Sequence, residues 1–262
     1  MKVLDPIAIS AITAALTTLA TKGAEGPSHT LGLIWKLTFG HWDAQMESVI
    51  EKNCQKYADA IDKKFAEIPD DKINPEPDIS IIGPALEASK YYINREDARE
   101  MFATLIAAEL NIEEKDKVHH AFVDIIKQMS SNDAKLLKVI PQTGPLAEFR
   151  LYIKGGTQYT RLGTADIIYI PGLIEDNFTN NAISINNLAR LGLVEIDHVM
   201  SLTNQSIYDA YKRFSAYQEG LKAVAQHPDE YEKVAVSTGM FTITPLGNLF
   251  KEVCMPAKEA FI

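Results

Sequence analysis

Between Pro75 and Leu137 three helix-length segments, PEPDISIIGPALEASKYY, DAREMFATLIAAEL and KVHHAFVDIIKQMSSNDAKLL, follow one another without padding. Each repeats apolar residues at three- or four-residue steps, so each must bury a stripe against its neighbours, and the stretch reads as helix packed on helix. Asp78 can cap a helix through Ile82, Leu86 and Tyr91, with Gly83-Pro84 either in its first turns or dividing a short turn from the helix proper. Asn94 with Asp97 starts a second helix whose core set is Met101, Phe102, Leu105, Ile106 and Leu110. Val118 to Met129 makes a third, with Phe122, Ile125 and Ile126 inward, and Ser130-x-x-Asp133 has the form of a capping box before Leu136 and Leu137. Upstream, Met46, Ile50, Cys54, Tyr57, Ile61, Phe65 and Ile68 form one stripe of a long amphipathic helix that Pro69 closes.

The second half changes character after Pro141-Gln142-Thr143-Gly144-Pro145, a cluster of breakers that marks the expected domain boundary, giving domains 1–140 and 141–262. Phe149 to Ile153 alternates as a strand does, Gly155-Gly156-Thr157 reads as a turn, and Ile167 to Ile170 is a further apolar run. Thr179 can cap a helix carrying Ile183, Ile185, Leu188 and Leu191, stopped by Gly192. Leu193 to Ile196 is a strand, Ser206 to Gln226 a single helix, Met240 to Ile243 a returning strand, and Thr244-Pro245 the start of a last helix. That order is similar to a winged-helix domain with a long insertion in place of the wing. The expected fold is therefore mainly α and α+β overall: a helical N-terminal half and a smaller winged-helix-like α+β C-terminal half.

The N-terminus carries two apolar runs, Ile7 to Ala20 and Leu31 to Trp42. The first starts at a capping Asp5-Pro6 and is roughly 24 Å long as a helix, short of the ~30 Å hydrocarbon thickness. Lys2 followed by Asp5 is a poor signal-peptide leader. Two readings stand: a buried helical hairpin or self-association surface, and a hairpin that contacts membrane conditionally. Two distant cysteines, Cys54 and Cys254, fit free thiols in a reducing interior, and a cytoplasmic location is the expectation.

The net charge of −9 repels a phosphate backbone in the absence of a basic cluster. The helix before the first C-terminal strand offers Asn180, Asn181, Asn186, Asn187 and Arg190, amides able to read bases but one cation to hold phosphate. Nucleic acid is thus a disfavoured partner. Sequence signatures of chemistry are absent: no HExxH, CxxC, GxSxG, phosphate loop or dinucleotide fingerprint occurs, so neither a metal nor a cofactor is expected and no enzyme activity is supported. The acid, base or ligand candidates are helix polar residues: Glu87, Arg99, Glu100, Glu109, His119, Gln128, and the i, i+4 pair His120 and Asp124.

The ordered residues Gly83-Pro84-x-Leu86-Glu87, Tyr91-Tyr92, Arg99-x-Met101-Phe102-Ala103, Val118-His119, Phe122-Val123-x-Ile125-Ile126-Lys127-Gln128 and Asp133-Ala134-Lys135 resemble the abortive-infection alpha family, bacterial proteins associated with resistance to phage. The family pattern has Pro where His120 and Ser131 stand; Lys22 to Gly40 looks like its leader. The resemblance implies a phage-resistance outcome and supplies no reaction. Glu87, Tyr91, Arg99, His119 and Gln128 are the matched polar positions it offers for contact with a protein partner, a phage or host component, and a homo-oligomer is compatible with it.

Overall fold

A computed structural model describes residues 48–170 and 178–255. The two N-terminal apolar runs and the resemblance upstream of residue 48 lie outside the described residues. The fold is mixed α+β, in two compact units: 48–131 with 249–255, and 132–170 with 178–248.

The first unit is helical, and its helices follow the apolar spacing. α1 (Ser48–Ala66) buries Tyr57, Ile61 and Phe65, four residues apart, and each such side chain contributes roughly 1.5–3 kcal/mol. The Pro-rich connector after it is strapped down by backbone bonds, Asn74 N–H to Leu110 O and Ile112 N–H to Lys72 O. Asp78 caps α2 (Ile79–Ser89), its carboxylate accepting the Ser80 amide at 2.8 Å. Gly83 and Pro84 do not divide this helix; they lie in its second turn, where the proline removes one backbone bond on the exposed side. A 3-10 turn, Lys90–Tyr92, follows. α3 (Glu96–Glu109) starts from Arg95 and not from Asn94, whose side chain instead accepts Asn53 Nδ2. α3 buries Met101, Phe102, Leu105 and Ile106. α4 (Ala121–Gln128) is shorter than the Val118–Met129 span expected, and Phe122 meets Phe250 edge to face at 5.3 Å.

α5 (Ser131–Val139) leads into the second unit, where four antiparallel strands run in the order β2-β1-β4-β3. β1 is Thr143–Ile153 and β2 is Tyr159–Ile168, joined by the Gly155-Gly156 turn. Thr143-Gly144-Pro145, the end of the cluster read as breakers, is thus the first stretch of one of the two central strands. Gly144 is needed there because a Cβ would stand 2.3 Å from the Phe241 ring. Pro145 is tolerated because its carbonyl points away from β4 to the Tyr211 hydroxyl, on the side where β2 has not yet begun to pair, so its missing N–H leaves no ladder bond unmade.

α6 (Phe178–Arg190) contains Thr179 rather than being capped by it, and ends as expected at Gly192, φ 75°, with Leu193 N–H returning to Leu188 O. β3 (Val194–Asp197) pairs with the end of β4 (Tyr231–Ile243), Val194 opposite Ile243 and Ile196 opposite Phe241. β4 is much longer than the four residues its alternation announced. The expected single helix over 206–226 is two, a 3-10 helix (Gln205–Arg213) and α7 (Ser215–Gln226), because Phe214 takes an extended backbone and drives its ring into the core beside Phe149 and Tyr211. α8 (Pro245–Cys254) opens on Thr244, whose hydroxyl accepts the Gly247 amide.

Candidate functional site

The apolar family-pattern residues are mostly buried, and of the five matched polar positions Tyr91, His119 and Gln128 are exposed, Glu87 is half-buried and Arg99 is buried. Tyr91 is 73 % exposed on the 3-10 turn after α2, while its neighbour Tyr92 turns inward against Phe102 and donates its hydroxyl to Lys127 O at 2.8 Å. Arg95 donates to Met129 O, also 2.8 Å, and pairs with Asp97, which accepts the Ser131 hydroxyl. Burial works against the Asp97 carboxylate, yet the Arg95 guanidinium and the Ser131 hydroxyl hold its pKa below the ordinary value. These bonds clamp the turn 90–92 to the C-terminal end of α4, where Gln128 is exposed. Glu87, half-buried one turn before Tyr91, accepts Lys90 Nζ at 2.7 Å.

The other two positions differ. Arg99 is 7 % exposed and donates to Ile93 O, closing the loop into α3, so its role is internal. His119 is exposed at the opposite end of α4, roughly 12 Å away along an eight-residue helix. Its Nδ1 accepts the Ala121 amide at 3.1 Å, capping the helix start. The structure thus ties the turn that carries Tyr91, one turn beyond Glu87, to the end of α4 that carries Gln128, buries Arg99 and leaves His119 apart.

A second grouping was not legible in the sequence. His120 Nδ1 lies 3.4 Å from Ser80 Oγ and its Nε2 lies 3.8 Å from Asp78 Oδ2, while Glu109 accepts the Asp78 amide at 2.8 Å. Serine, imidazole and carboxylate in that order have the form of a nucleophile, base and orienter. The distances exceed hydrogen-bond reach for a working relay, the imidazole is exposed, and the Asp78 carboxylate is committed to the α2 cap. The grouping is a helix-cap network. Hydrogen bonds from Ser80 and the nearby His120 hold Asp78 below the ordinary carboxylate range, while burial pushes Glu109 up. His120 and Asp124 do not act together, since Asp124 pairs with Lys127 instead.

The base-reading candidates on α6 are largely occupied. Asn186 donates to Asp166 and to Ala182 O, Asn187 donates to Asp133, and Arg190 donates to Asn187. Asp166 has φ 55° and is buried, with His198 Nε2 3.6 Å from its second oxygen. In the helical unit an open cleft of about 380 Å³ is lined by Lys64, Thr104, Asn111, Glu114 and Glu252, and Lys117 bridges the two glutamates. Among the described residues no three metal-ligating side chains converge, and no helix is long and apolar enough to cross a membrane. Cys254 is buried, which pushes its thiol pKa up and makes it a core residue.

The sequence model of abortive infection alpha matches residues 49–254, nearly the whole of the described structure. No curated protein and no solved structure matches the chain. The residues quoted from α2 to α5 lie within that match, and the chain belongs to the abortive infection alpha family.

Proposed function

We propose that the protein limits phage multiplication in a bacterial cytoplasm by binding a phage or host protein, without catalysing a reaction. The observation that carries this reading is Tyr91: an aromatic ring 73 % exposed, on a turn that Tyr92 and Arg95 fix in place. A large ring held out on a rigid support is an economical anchor for a partner, because little side-chain entropy is lost on docking. Glu87 and Gln128 supply the polar contacts of this surface, and His119, at the far end of α4, lies apart from it. The path α6-β3-β4-α8 supports a winged-helix-like reading of the second unit, with residues 198–230 in the place of the wing.

Use of that unit as a duplex-DNA regulator through α6 is less well supported, because Asn186 and Asn187 are spent on carboxylates. The membrane reading rests on residues 7–42, outside the described residues; dye release from anionic liposomes tests it. The main test is phage yield in a sensitive host carrying the gene. Wild type lowers yield, and Tyr91→Ala or the Glu87→Ala/Gln128→Ala pair restores it by at least about tenfold with the melting temperature unchanged, since an interface hot spot is worth 2 kcal/mol or more. Yields equal with and without the gene across a broad phage panel would refute the defence reading; full protection by the Tyr91 variant would refute the surface.

A further inference from the structure

The sheet of the second unit has two unlike faces. Phe149 and Leu151 of β1 lie opposite Val236 and Val234 of β4, and this face carries the aromatic core closed by Tyr211 and Phe214. Alternate residues point the other way. There Arg150 stands opposite Arg161, and Tyr152 stands between Tyr159 and Lys233 in one row across three strands. This end of the face is open: Tyr159 is 41 % exposed, and the Arg161 and Lys233 side chains are 50 % and 60 % exposed.

The row is ordered by its own contacts. The Tyr152 and Tyr159 rings are 5.6 Å apart, the Arg150 guanidinium lies 4.5 Å over Tyr159, and the Lys233 ammonium lies 5.2 Å from the Tyr152 centroid. Glu148 lies in the array and accepts from both Arg150 and Arg161, which fixes the two guanidinium planes. Three cations against Glu148 and Glu232, the latter 4.0 Å from Lys233, leave a local surplus of one positive charge on a chain whose net charge is −9. Cations interleaved with aromatic rings on an open sheet face match phosphates joined by unpaired bases, since a duplex hides the base faces and a carboxylate-rich protein has no use for the rings.

We propose that this face binds single-stranded nucleic acid, its bases stacking on Tyr152 and Tyr159 and its phosphates held by Arg150, Arg161 and Lys233. The site lies in the sheet unit and is independent of Tyr91. Fluorescence anisotropy of the full chain with labelled oligothymidylate and oligouridylate of about twenty nucleotides tests it, and the two arms distinguish DNA from RNA. Binding to at least one of them is expected at low salt, falling as salt rises. Tyr152→Ala and Tyr159→Ala each weaken it about tenfold, whereas Tyr159→Phe, which keeps the ring, does not. Arg161→Glu weakens binding and flattens the salt slope, and Glu232→Lys, at a residue 4.0 Å from Lys233, tightens it. Thermal melting establishes that each variant folds; Tyr159→Phe and Arg161→Glu carry the test if an alanine variant does not. No binding at low salt, a duplex or polyglutamate bound as tightly as single strands, or both alanine variants at wild-type affinity would overturn the proposal.

Discussion

Glu109 shows how one residue sets a pH dependence. Glu109 is 3 % exposed, and its carboxylate accepts the Asp78 amide and is faced by Asp78, Lys115 and His120. Burial raises its folded pKa above the ordinary glutamate value. A group raised in this way contributes stability that is complete below its unfolded pKa and is lost as pH climbs through the folded one. Glu109→Gln keeps the acceptor for the Asp78 amide and removes the buried charge. It should raise the melting temperature at neutral pH by about 2–4 °C, on the order of 1 kcal/mol, with the gain vanishing below the ordinary carboxylate range. Melting curves across pH check this; a gain that persists in acid would show that ionisation is not its source.

At the scale of elements, Phe214 decides where one helix becomes two. Its ring packs on Phe149 and Tyr211 while its extended backbone separates the 3-10 helix from α7. Phe214→Ala should cost about 3–5 kcal/mol, read by urea denaturation, and a cost under about 1 kcal/mol would show that the ring does not hold the break. Such a break was not legible in the sequence, because SIYDAYKRFSAYQEG keeps a helix-compatible pattern throughout. The stripes of α1, α3 and α4 were legible because their periods report burial directly, Tyr57, Ile61 and Phe65 above all. Strand ends were not: Tyr159-Thr160-Arg161 faces solvent and reads as polar loop, and Gly144-Pro145 obeys a local turn rule that the Phe241 ring and the Tyr211 hydroxyl override. The Ser80 and His120 contact joins residues forty apart and had no local signature. Of the matched polar positions, exposure of Tyr91 and burial of Arg99 are facts of tertiary packing that one sequence does not carry.

For the whole molecule, the helical unit is discontinuous in the chain, its described residues being 48–131 and again 249–255. Phe250 and Val253, both buried, return to complete it, with Phe250 on Phe122. Phe250→Ala should destabilise this unit by about 3–5 kcal/mol, and hydrogen exchange should speed at Phe122 and Ile126 of α4. Protection of those amides unchanged in the variant would mean that the first segment is stable without its returning piece.

Synthesis gives that discontinuity a temporal meaning. At ribosomal rates of about 5–20 residues per second, the pocket for Phe250 emerges on the order of 10 s before the ring that fills it. Through that interval Phe122 lacks the aromatic neighbour that covers it in the folded unit.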